Sequence, residues 1–312
     1  MSRDARPTAE PASPAGPSPS PSDSHAVRDG AWGAISFLNA IPQGIGCAAA
    51  ISLNATVDLE YQPGSPETKP ALTAEDGEIS PLLRWTLDKV YESLRFPPVY
   101  RFRATVRSTI PQGKGLKSSS AVSVALARAL RRVLGHPPSP ADVAAISAKA
   151  ALASGTSVTG AFDDALACAM GGVVVADVRA HWQMVSTEVP AGLQVLIWIP
   201  QAERPDVKAK ASELRVTDMN AKEAVRLALR GEFLKAMRYN SLVVERALGY
   251  DYARIREAGL TRGAVAAGVT GNGPALAFVV PRELAAQVAA ALPWQSAKMV
   301  SAEFVRPGVV PA

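Results

Sequence analysis

The segment at residues 111–121, PQGKGLKSSSA, restricts the fold of this chain more than any other. It lies between a predicted strand at residues 99–106, where apolar and polar residues alternate, and a predicted helix at residues 119–134. Its two glycines let the backbone turn tightly and approach an anion, and the helix N-terminus that follows offers unpaired N–H groups. Three serine hydroxyls can hold phosphate oxygens or Mg²⁺, and two lysines add positive charge. The segment therefore predicts a phosphate-binding loop.

A simpler interpretation is an ordinary glycine turn followed by a serine N-cap, which is common. The number of features gathered in one strand–loop–helix unit favours the phosphate site. The spacing differs from the Walker A motif, which needs Gly, four residues and then Gly-Lys-Ser/Thr. Here Lys114 is followed by a glycine, and Lys117 is preceded by a leucine. The P-loop kinases are therefore excluded.

Composition excludes several other classes of protein. The 312 residues are 48% hydrophobic and 20% charged, which suits one large or two ordinary globular domains. The two cysteines, Cys47 and Cys168, are far apart and have no neighbouring histidine, so neither a disulfide framework nor a zinc site is expected. No stretch is apolar enough for a membrane span or a signal peptide, and we expect a cytoplasmic protein.

The net charge of +5 leaves two kinds of partner open. A basic chain can bind nucleic acid, and it can equally bind anionic small molecules. Lysines and arginines are dispersed, and aromatic residues make up only 6%, unlike the basic clusters with interleaved aromatics that bind nucleic acid. We therefore expect a small-molecule substrate and neither a nucleic-acid nor a membrane partner.

The chain divides into a tail and two predicted domains. Residues 1–28 are rich in Pro, Ser and Ala and have almost nothing large to bury, so a disordered tail is expected. Structure should begin near Gly30, with an N-terminal domain over residues 29–180 and a C-terminal domain over residues 181–312. No internal repeat is evident. The predicted fold class is α+β in two lobes.

Capping residues and hydrophobic periodicity locate most of the elements. Ser139 is a favourable N-cap, Pro140 suits the first helical position, and Gly155 suits the end of the same helix. Further helices are predicted over residues 80–94, 164–170 and 282–292 and between residues 220 and 248. Further strands are predicted over residues 55–60, 173–178, 193–199, 264–269 and 275–280. Residues 62–77 are predicted to form a solvated loop, and the pattern changes to that of a second lobe from Gln183 onward.

Four segments together resemble the GHMP kinases. Residues 111–121 are similar to the family's second motif, Pro-x-Gly-x-Gly-Leu-Gly-Ser-Ser-Ala, except that Lys117 replaces the last glycine and one serine is added. Residues 157–165, SVTGAFDDA, resemble the segment with the family's catalytic aspartate, and residues 267–275, AGVTGNGPA, resemble its third motif. Residues 39–46, NAIPQGIG, resemble the first motif of archaeal-type shikimate kinases, and GLKSSSA is typical of the same branch.

This resemblance covers about residues 30–305, with the motifs in the family's order. It implies an N-terminal lobe related to the second domain of ribosomal S5 and a C-terminal ferredoxin-like lobe. It also implies an ATP- and Mg²⁺-dependent kinase that phosphorylates the 3-hydroxyl of shikimate in chorismate and aromatic amino-acid biosynthesis. The resemblance assigns nucleotide binding to Pro111, Gln112, Gly113, Lys114, Gly115, Leu116, Lys117, Ser118, Ser119, Ser120, Ala121, Gly271, Asn272 and Gly273.

Asp163 and Asp164 have two interpretations. Either could simply cap the helix that follows, because aspartate is favoured there. In the GHMP kinases an aspartate at this place accepts or orients the proton of the acceptor hydroxyl. Counting back from Gly171-Gly172 matches Asp164 to it, and counting forward from Gly160 allows Asp163. We expect Asp164 to be catalytic and Asp163 to cap the helix or to support Asp164.

Lys117 is a further catalytic candidate. A lysine at a helix N-terminus is unfavourable for the dipole, so it should have a nearby anion. An ATP phosphate or the carboxylate of shikimate would supply that anion. The alternative is a solvated side chain that points away from the site.

The resemblance also implies the metal and acceptor contacts. Many members have a magnesium-binding glutamate about three helical turns before the aspartate, but residues 150–154 contain none. Ser119 is therefore the expected metal ligand, with Asp163 or water completing the shell. The acceptor is expected to contact Asn39, Ser157, Thr159 and Gly160. Which arginine or lysine would bind its carboxylate stays open.

Other interpretations also stay open at this point. Within the family, the acceptor could be homoserine, mevalonate or a cyclitol related to shikimate. An S5-like lobe with a pI near 9.3 could also belong to a non-catalytic protein that binds nucleic acid. A Ser-His-Asp triad is not expected, because His25, His136 and His181 lie in a tail, a proline turn and a lobe junction.

Overall fold

The structure is a computed structural model that describes residues 25–65, 67–75, 77–216 and 218–311. Its strands are β1 (His25–Leu38), β2 (Ile45–Pro63), β3 (Ala71–Ala74), β4 (Tyr100–Ser108), β5 (Val173–Asp177), β6 (Trp182–Thr187), β7 (Leu193–Pro200), β8 (Ala266–Val269), β9 (Leu276–Pro281) and β10 (Ala297–Glu303). Its helices are α1 (Pro81–Glu92), α2 (Ser118–Val133), α3 (Pro140–Ala153), α4 (Phe162–Met170), α5 (Ala211–Leu214), α6 (Met219–Leu229), α7 (Phe233–Leu248), α8 (Ala253–Thr261) and α9 (Ala285–Ala291). Short 3₁₀ helices lie at Arg282–Leu284 and Trp294–Ser296.

Strand β2 is the centre of the first sheet. It pairs with β1 along one edge, while β5 and β4 pair in turn with the two halves of its other edge. These pairings are antiparallel; β3 extends the sheet beyond β4 in parallel, and β6 extends it beyond β5. Inward-facing side chains of β2, such as Val57 and Leu59, are fully buried. One long strand therefore links all the other strands of this sheet.

The first strand begins earlier than we predicted. His25 pairs with Tyr61 and Val27 pairs with Leu59, so residues 25–28 belong to the sheet and not to the tail. The pairing satisfies backbone N–H and C=O groups that a free tail would expose to water. The remainder of the predicted tail, residues 1–24, lies outside the described residues.

Helices α2 and α4 pack on this sheet, and α1 and α3 pack against them. Nearly every side chain in the middle of α2 is buried, including Leu126 and Leu130. A helix that is buried all round is held by neighbours on every side. The N-terminus of α2, which follows the predicted phosphate loop, is therefore fixed in position.

The second sheet has the order β10-β7-β9-β8, with all pairs antiparallel. Helices α7 and α8 contact β8, and the buried Trp198 and Phe278 belong to the core on this side. The two sheets also share packing, because the ring of Phe37 in β1 lies 5.0 Å from that of Phe233 in α7. The result is the predicted α+β fold in two lobes, joined by a continuous core.

The change of pattern that we predicted at Gln183 is wrong. Strand β6 pairs with β5 in the first sheet, from Asp177 opposite Trp182 to Val173 opposite Thr187. The predicted domain boundary near residue 180 therefore falls within a hairpin of that sheet. The chain enters the second sheet only at β7.

Helix caps located several element ends correctly. Ser80 accepts a hydrogen bond from the Leu83 N–H at the start of α1, and Ser139 accepts one from Asp142 at the start of α3. The third predicted helix begins at Phe162, slightly before the predicted start at Asp164.

Several short elements were not predicted. Strand β3 lies within the predicted solvated loop at residues 62–77, where its backbone pairs with β4. Strand β6, helix α8 and strand β10 were also missed. Among the helices of the described residues, none combines the length and the apolar character needed to cross a membrane.

Candidate active site

The predicted phosphate loop has a tightly turning backbone. Gly113, Gly115 and Lys117 all have positive φ, at 68°, 82° and 67°. A Cβ at Gly115 would overlap the carbonyl oxygen of Thr270, whereas a Cβ at Gly113 would meet nothing within 4 Å. Gly115 thus permits a close approach of two backbones, and Gly113 leaves open space over the loop.

Lys117 is the N-cap of α2 and has a left-handed conformation. This conformation costs a residue with a side chain about 1–3 kcal/mol, which explains why the related motif has glycine at this place. The Nζ of Lys117 lies 3.1 Å from Oδ1 of Asp164, and the two side chains are 7% and 15% exposed. In the structure the anion beside Lys117 is therefore the carboxylate of Asp164, whereas we predicted an anion of a ligand, either an ATP phosphate or the carboxylate of shikimate.

The two aspartates occupy the first turn of α4 but face different surroundings. The N-cap of α4 is Ala161 and has no side-chain hydrogen bond, so the predicted capping role of Asp163 is wrong. Asp163 is 3% exposed and lies against β2, where a Cβ at Gly46 would overlap its Oδ2. Asp164 instead faces the phosphate loop through Lys117.

Burial and the charge of the neighbouring Asp164 raise the pKa of Asp163 to about 8, although the charge of Lys117 opposes this rise. The Asp163 carboxyl is therefore mainly protonated at neutral pH. A neutral carboxyl is a poor ligand for Mg²⁺, which prefers charged oxygen donors. This geometry favours Asp164 as the carboxylate that meets a ligand.

The third predicted motif contacts strand β1 and the second motif through Thr270. Its buried hydroxyl donates a hydrogen bond to the carbonyl of Gly115, at 3.0 Å, and accepts one from the N–H of Ser36, also at 3.0 Å. The same loop carries Gly271, where a Cβ would lie 2.6 Å from Nζ of Lys117. One hydroxyl thus joins β1, the phosphate loop and the loop after β8.

Asn39 also holds the loop after β8 in place, through side-chain hydrogen bonds. Its side-chain N–H groups donate to Asn272 Oδ1 at 2.7 Å and to the Gly271 carbonyl at 3.2 Å. Its backbone N–H donates to Asn240 Oδ1 at 2.7 Å. Both amide donors of Asn39 are therefore engaged within the protein, although the residue reaches the cavity.

These elements surround a cavity of about 670 Å³. Of the predicted site residues, the following line it: Asn39, Pro111, Gly113, Gly115, Leu116, Lys117, Ser118, Ser119, Ser120, Ser157, Thr159, Asp163, Asp164, Gly271 and Asn272. Residues 157–159 belong to the loop that follows α3. The volume is sufficient for a ligand larger than a single phosphate.

Five predicted site residues do not line this cavity: Gln112, Lys114, Ala121, Gly160 and Gly273. The Lys114 ammonium group instead donates to the carbonyls of Pro200 and Ala202, at 3.3 and 2.9 Å. Ala121 is buried in the core. A Cβ at Gly160 would lie 3.0 Å from the Ala148 carbonyl, and one at Gly273 would lie 2.8 Å from the ring of Tyr250. Lys114, Ala121, Gly160 and Gly273 therefore contact other parts of the protein and do not face the cavity.

The structure also adds residues that sequence reasoning missed. Residues 204–208, between β7 and α5, line the cavity, as do Ser147 and Ala151 of α3 and Leu82 of α1. The charged run ERPDVKAK directly after a buried strand could have indicated the first of these segments. Nothing local in the sequence distinguishes the lining residues of α1 and α3.

The lining offers oxygen donors but no dense metal cluster. Within the described ranges, no three residues among His, Cys, Asp and Glu are grouped closely enough to hold a metal ion. The predicted ligand Ser119 is exposed to the cavity that Asp164 also lines. Hydroxyl and carboxylate oxygens suit Mg²⁺, which binds few protein groups and keeps water and phosphate oxygens as its other ligands. The residues present therefore fit that ion.

Comparison with known proteins agrees with this geometry. The family model described as "GHMP kinases N terminal domain" matches residues 82–172. Shikimate kinase from Archaeoglobus fulgidus is 32% identical over 263 residues, covering 83% of this chain and 87% of the relative. Shikimate kinase from Thermococcus kodakarensis is 33% identical over 261 residues, covering 83% of this chain and 94% of the relative.

Solved structures show the same fold at low sequence identity. Homoserine kinase from Cytophaga hutchinsonii has a TM-score of 0.69 at 19% identity, covering 91% of this chain and 97% of that one. Galactokinase from Lactococcus lactis has a TM-score of 0.71 at 12% identity, covering 90% and 94%. The fold is therefore shared by kinases that act on different small molecules.

Proposed function

Because the chain belongs to the GHMP kinases, within the family of the archaeal shikimate kinases, we propose that it transfers the γ-phosphoryl group of ATP to the 3-hydroxyl of shikimate. The observation that carries this proposal is the meeting of a glycine-rich phosphate loop and the carboxylate of Asp164 in one cavity. The names of the relatives supply the acceptor, since the match covers most of both chains.

We place the ATP phosphates over residues 113–120. Backbone N–H groups at the N-terminus of α2 have no partners within the helix and present the positive end of its dipole. The hydroxyls of Ser118, Ser119 and Ser120 line the same wall. Loop and helix end are held by the buried body of α2, so these donors are preorganised for the phosphates.

Asp164 is the proposed acceptor of the proton from the shikimate hydroxyl. It lines the cavity beside the loop, so a hydroxyl near its carboxylate would also be near the γ-phosphate. Phosphoryl transfer depends mainly on such positioning and on stabilisation of charge. Lys117, at 3.1 Å, compensates the charge of Asp164 and lies where negative charge collects during transfer.

Mg²⁺ is the proposed cofactor, with Ser119 and Asp164 as the nearest oxygen donors from the protein. When bound, the ion neutralises phosphate charge and orients the transferred group. Asp163 is left out of this ligand set, because its carboxyl is buried and its Oδ2 lies against Gly46 of β2.

An acceptor screen tests the proposal. The purified protein is incubated with Mg-ATP and, separately, shikimate, homoserine, mevalonate or quinate, and ADP release is followed. We expect kcat/KM to be highest with shikimate, and phosphorus-coupled NMR of the product should place the phosphate on the 3-oxygen. A higher kcat/KM with any other acceptor would overturn the assignment of the substrate, and no ADP release with any of them would contradict a kinase of this kind.

A further inference from the structure

The segment between β7 and α5 brings two unpaired cations to the cavity. Arg204 and Lys208 both line it, and neither has a carboxylate within 4 Å among the described residues. The nearest acid in sequence, Asp206, also lines the cavity, but its Oδ1 accepts the backbone N–H groups of Lys208 at 2.9 Å and Ala209 at 3.2 Å, and its carboxylate makes no ion pair within 4 Å with the Lys208 ammonium group. These two positive charges are therefore available to a ligand.

The segment is anchored on the core of the second sheet. Val207 is half-buried and packs on that core, as does Val158 from the loop after α3. Nζ of Lys208 would lie 3.0 Å from a Cβ at Gly155, at the start of that same loop. The ammonium group is therefore next to the loop after α3.

Arg204 occupies a different place. Burial raises the pKa of the Tyr250 phenol, and the positive charge of Arg204 opposes that rise. The Tyr250 hydroxyl donates to the Asn272 carbonyl, in the loop after β8. Arg204 is therefore on the side of that loop, whereas Lys208 is on the side of the loop after α3.

The charges of the cavity call for an acidic group on the acceptor. Asp164 is compensated by Lys117, and among the described residues no carboxylate lies within 4 Å of the Lys208 ammonium group, although that group lines the cavity. An acceptor whose hydroxyl meets Asp164 and whose other end reaches residues 155–159 would bring its remaining polar group to Lys208. A carboxylate is the group that an ammonium at this place binds best.

We propose that Lys208 binds the carboxylate of the acceptor and selects carboxylate-bearing alcohols over neutral ones. This inference rests on the proposed function, since it takes shikimate as the acceptor. Arg204 lies on the nucleotide side and is not assigned this contact. The segment at residues 204–208 thereby determines the choice of acceptor, although it lies outside the four motif segments.

The test compares shikimate with its methyl ester, which keeps the ring and hydroxyls and lacks the charge. Wild-type protein should use shikimate with a kcat/KM about 10- to 100-fold higher than the ester, as expected for a charge-assisted contact. Lys208→Met should raise KM for shikimate by that factor, leave KM for ATP unchanged and remove the preference over the ester. Lys208→Arg should keep part of the preference for shikimate over the ester.

Lys210→Met is the matched control. Lys210 is exposed on the same segment, pairs with Glu213 at 3.2 Å and does not line the cavity. Its substitution should leave both KM values and the preference unchanged. A Lys208→Met variant that keeps the wild-type preference for shikimate over its ester would overturn the inference, as would a loss confined to KM for ATP.

Failure of the proposed function and failure of the Lys208 inference give different results. If wild-type protein does not phosphorylate shikimate, the substrate assignment is overturned and the inference falls with it. If shikimate is phosphorylated but the preference over the ester is insensitive to Lys208, only the inference is overturned.

Discussion

The ammonium group of Lys117 and the carboxylate of Asp164 form an ion pair at 3.1 Å between the N-termini of α2 and α4. Both side chains are more than four-fifths buried, so water screens their interaction little. The pair holds a cation beside the phosphate loop although the lysine occupies a strained backbone position. It also links the two halves of the proposed chemistry, phosphate binding and proton acceptance.

Replacing Asp164 with asparagine should lower kcat by about 10²- to 10⁴-fold, because the proton acceptor is lost. Affinity for the nucleotide without Mg²⁺ should change little, since no direct phosphate contact is removed. Steady-state kinetics and calorimetric titration with a non-hydrolysable ATP analogue measure the two effects. Asp163→Asn is the control and should cost less activity. An inactive Asp163→Asn variant beside an active Asp164→Asn variant would reverse the roles of the two aspartates.

Two substitutions of Lys117 separate backbone strain from the ion pair. Both Lys117→Gly and Lys117→Ala leave Asp164 without its partner, and both should lower activity. Only glycine adopts φ 67° without strain, so Lys117→Gly should be more stable than Lys117→Ala by about 1 kcal/mol. Urea unfolding measures this difference. Equal stabilities would show that the left-handed conformation of this residue carries no cost.

The raised pKa of Asp163 makes the free energy of unfolding depend on pH. The folded protein keeps the Asp163 proton up to about pH 8, whereas the unfolded chain loses it near its ordinary value of about 3.9. Between these values the folded state binds more protons, so rising pH should reduce the contribution of Asp163 to stability, by at most about 1.4 kcal/mol per pH unit. Below this window the contribution is fully present.

Asp163→Asn removes this titration while nearly keeping the shape of the side chain. The stability of the variant relative to wild-type protein should therefore rise as the pH increases from about 5 to about 8. Urea unfolding of both proteins at intervals over this range gives the difference. A difference that is constant with pH would contradict a protonated Asp163.

Thr270→Val should weaken the junction of β1, the phosphate loop and the loop after β8. The substitution leaves the Ser36 N–H without its acceptor and the Gly115 carbonyl without its donor, both at a buried position. Each unsatisfied group costs about 1–3 kcal/mol, so we expect a loss of at least 2 kcal/mol and a raised KM for ATP.

The control for this prediction is Thr109→Val. Thr109 has the same two kinds of bond, accepting from the Asn54 N–H at 2.9 Å and donating to its carbonyl at 3.2 Å, but it is exposed. Water can replace its hydroxyl, so the loss should stay below about 1 kcal/mol. Equal losses at the two threonines would show that the buried junction has no special role.

The sequence alone determined those features that depend on neighbours along the chain. Ser80, Ser139 and Pro140 identified the starts of α1 and α3, because capping is an interaction within one helical turn. The turning loop at residues 111–117 was predictable for the same reason: its glycines lie between a strand and a helix that the local pattern already indicates. Comparison of the motif segments with a known family then correctly indicated the fold.

Only the tertiary structure decided what depends on distant segments meeting. The contact of Lys117 with Asp164, the hydrogen bond from Thr270 to Gly115 and the position of Lys208 beside Gly155 all follow from the packing of separate elements. Strands β3 and β6 escaped prediction because they are short strands at the sheet edges with largely exposed or half-buried side chains, so their pairing leaves little trace in hydrophobicity. Such contacts depend on how the folded core packs. A single sequence gives the residues involved but not which distant residues meet.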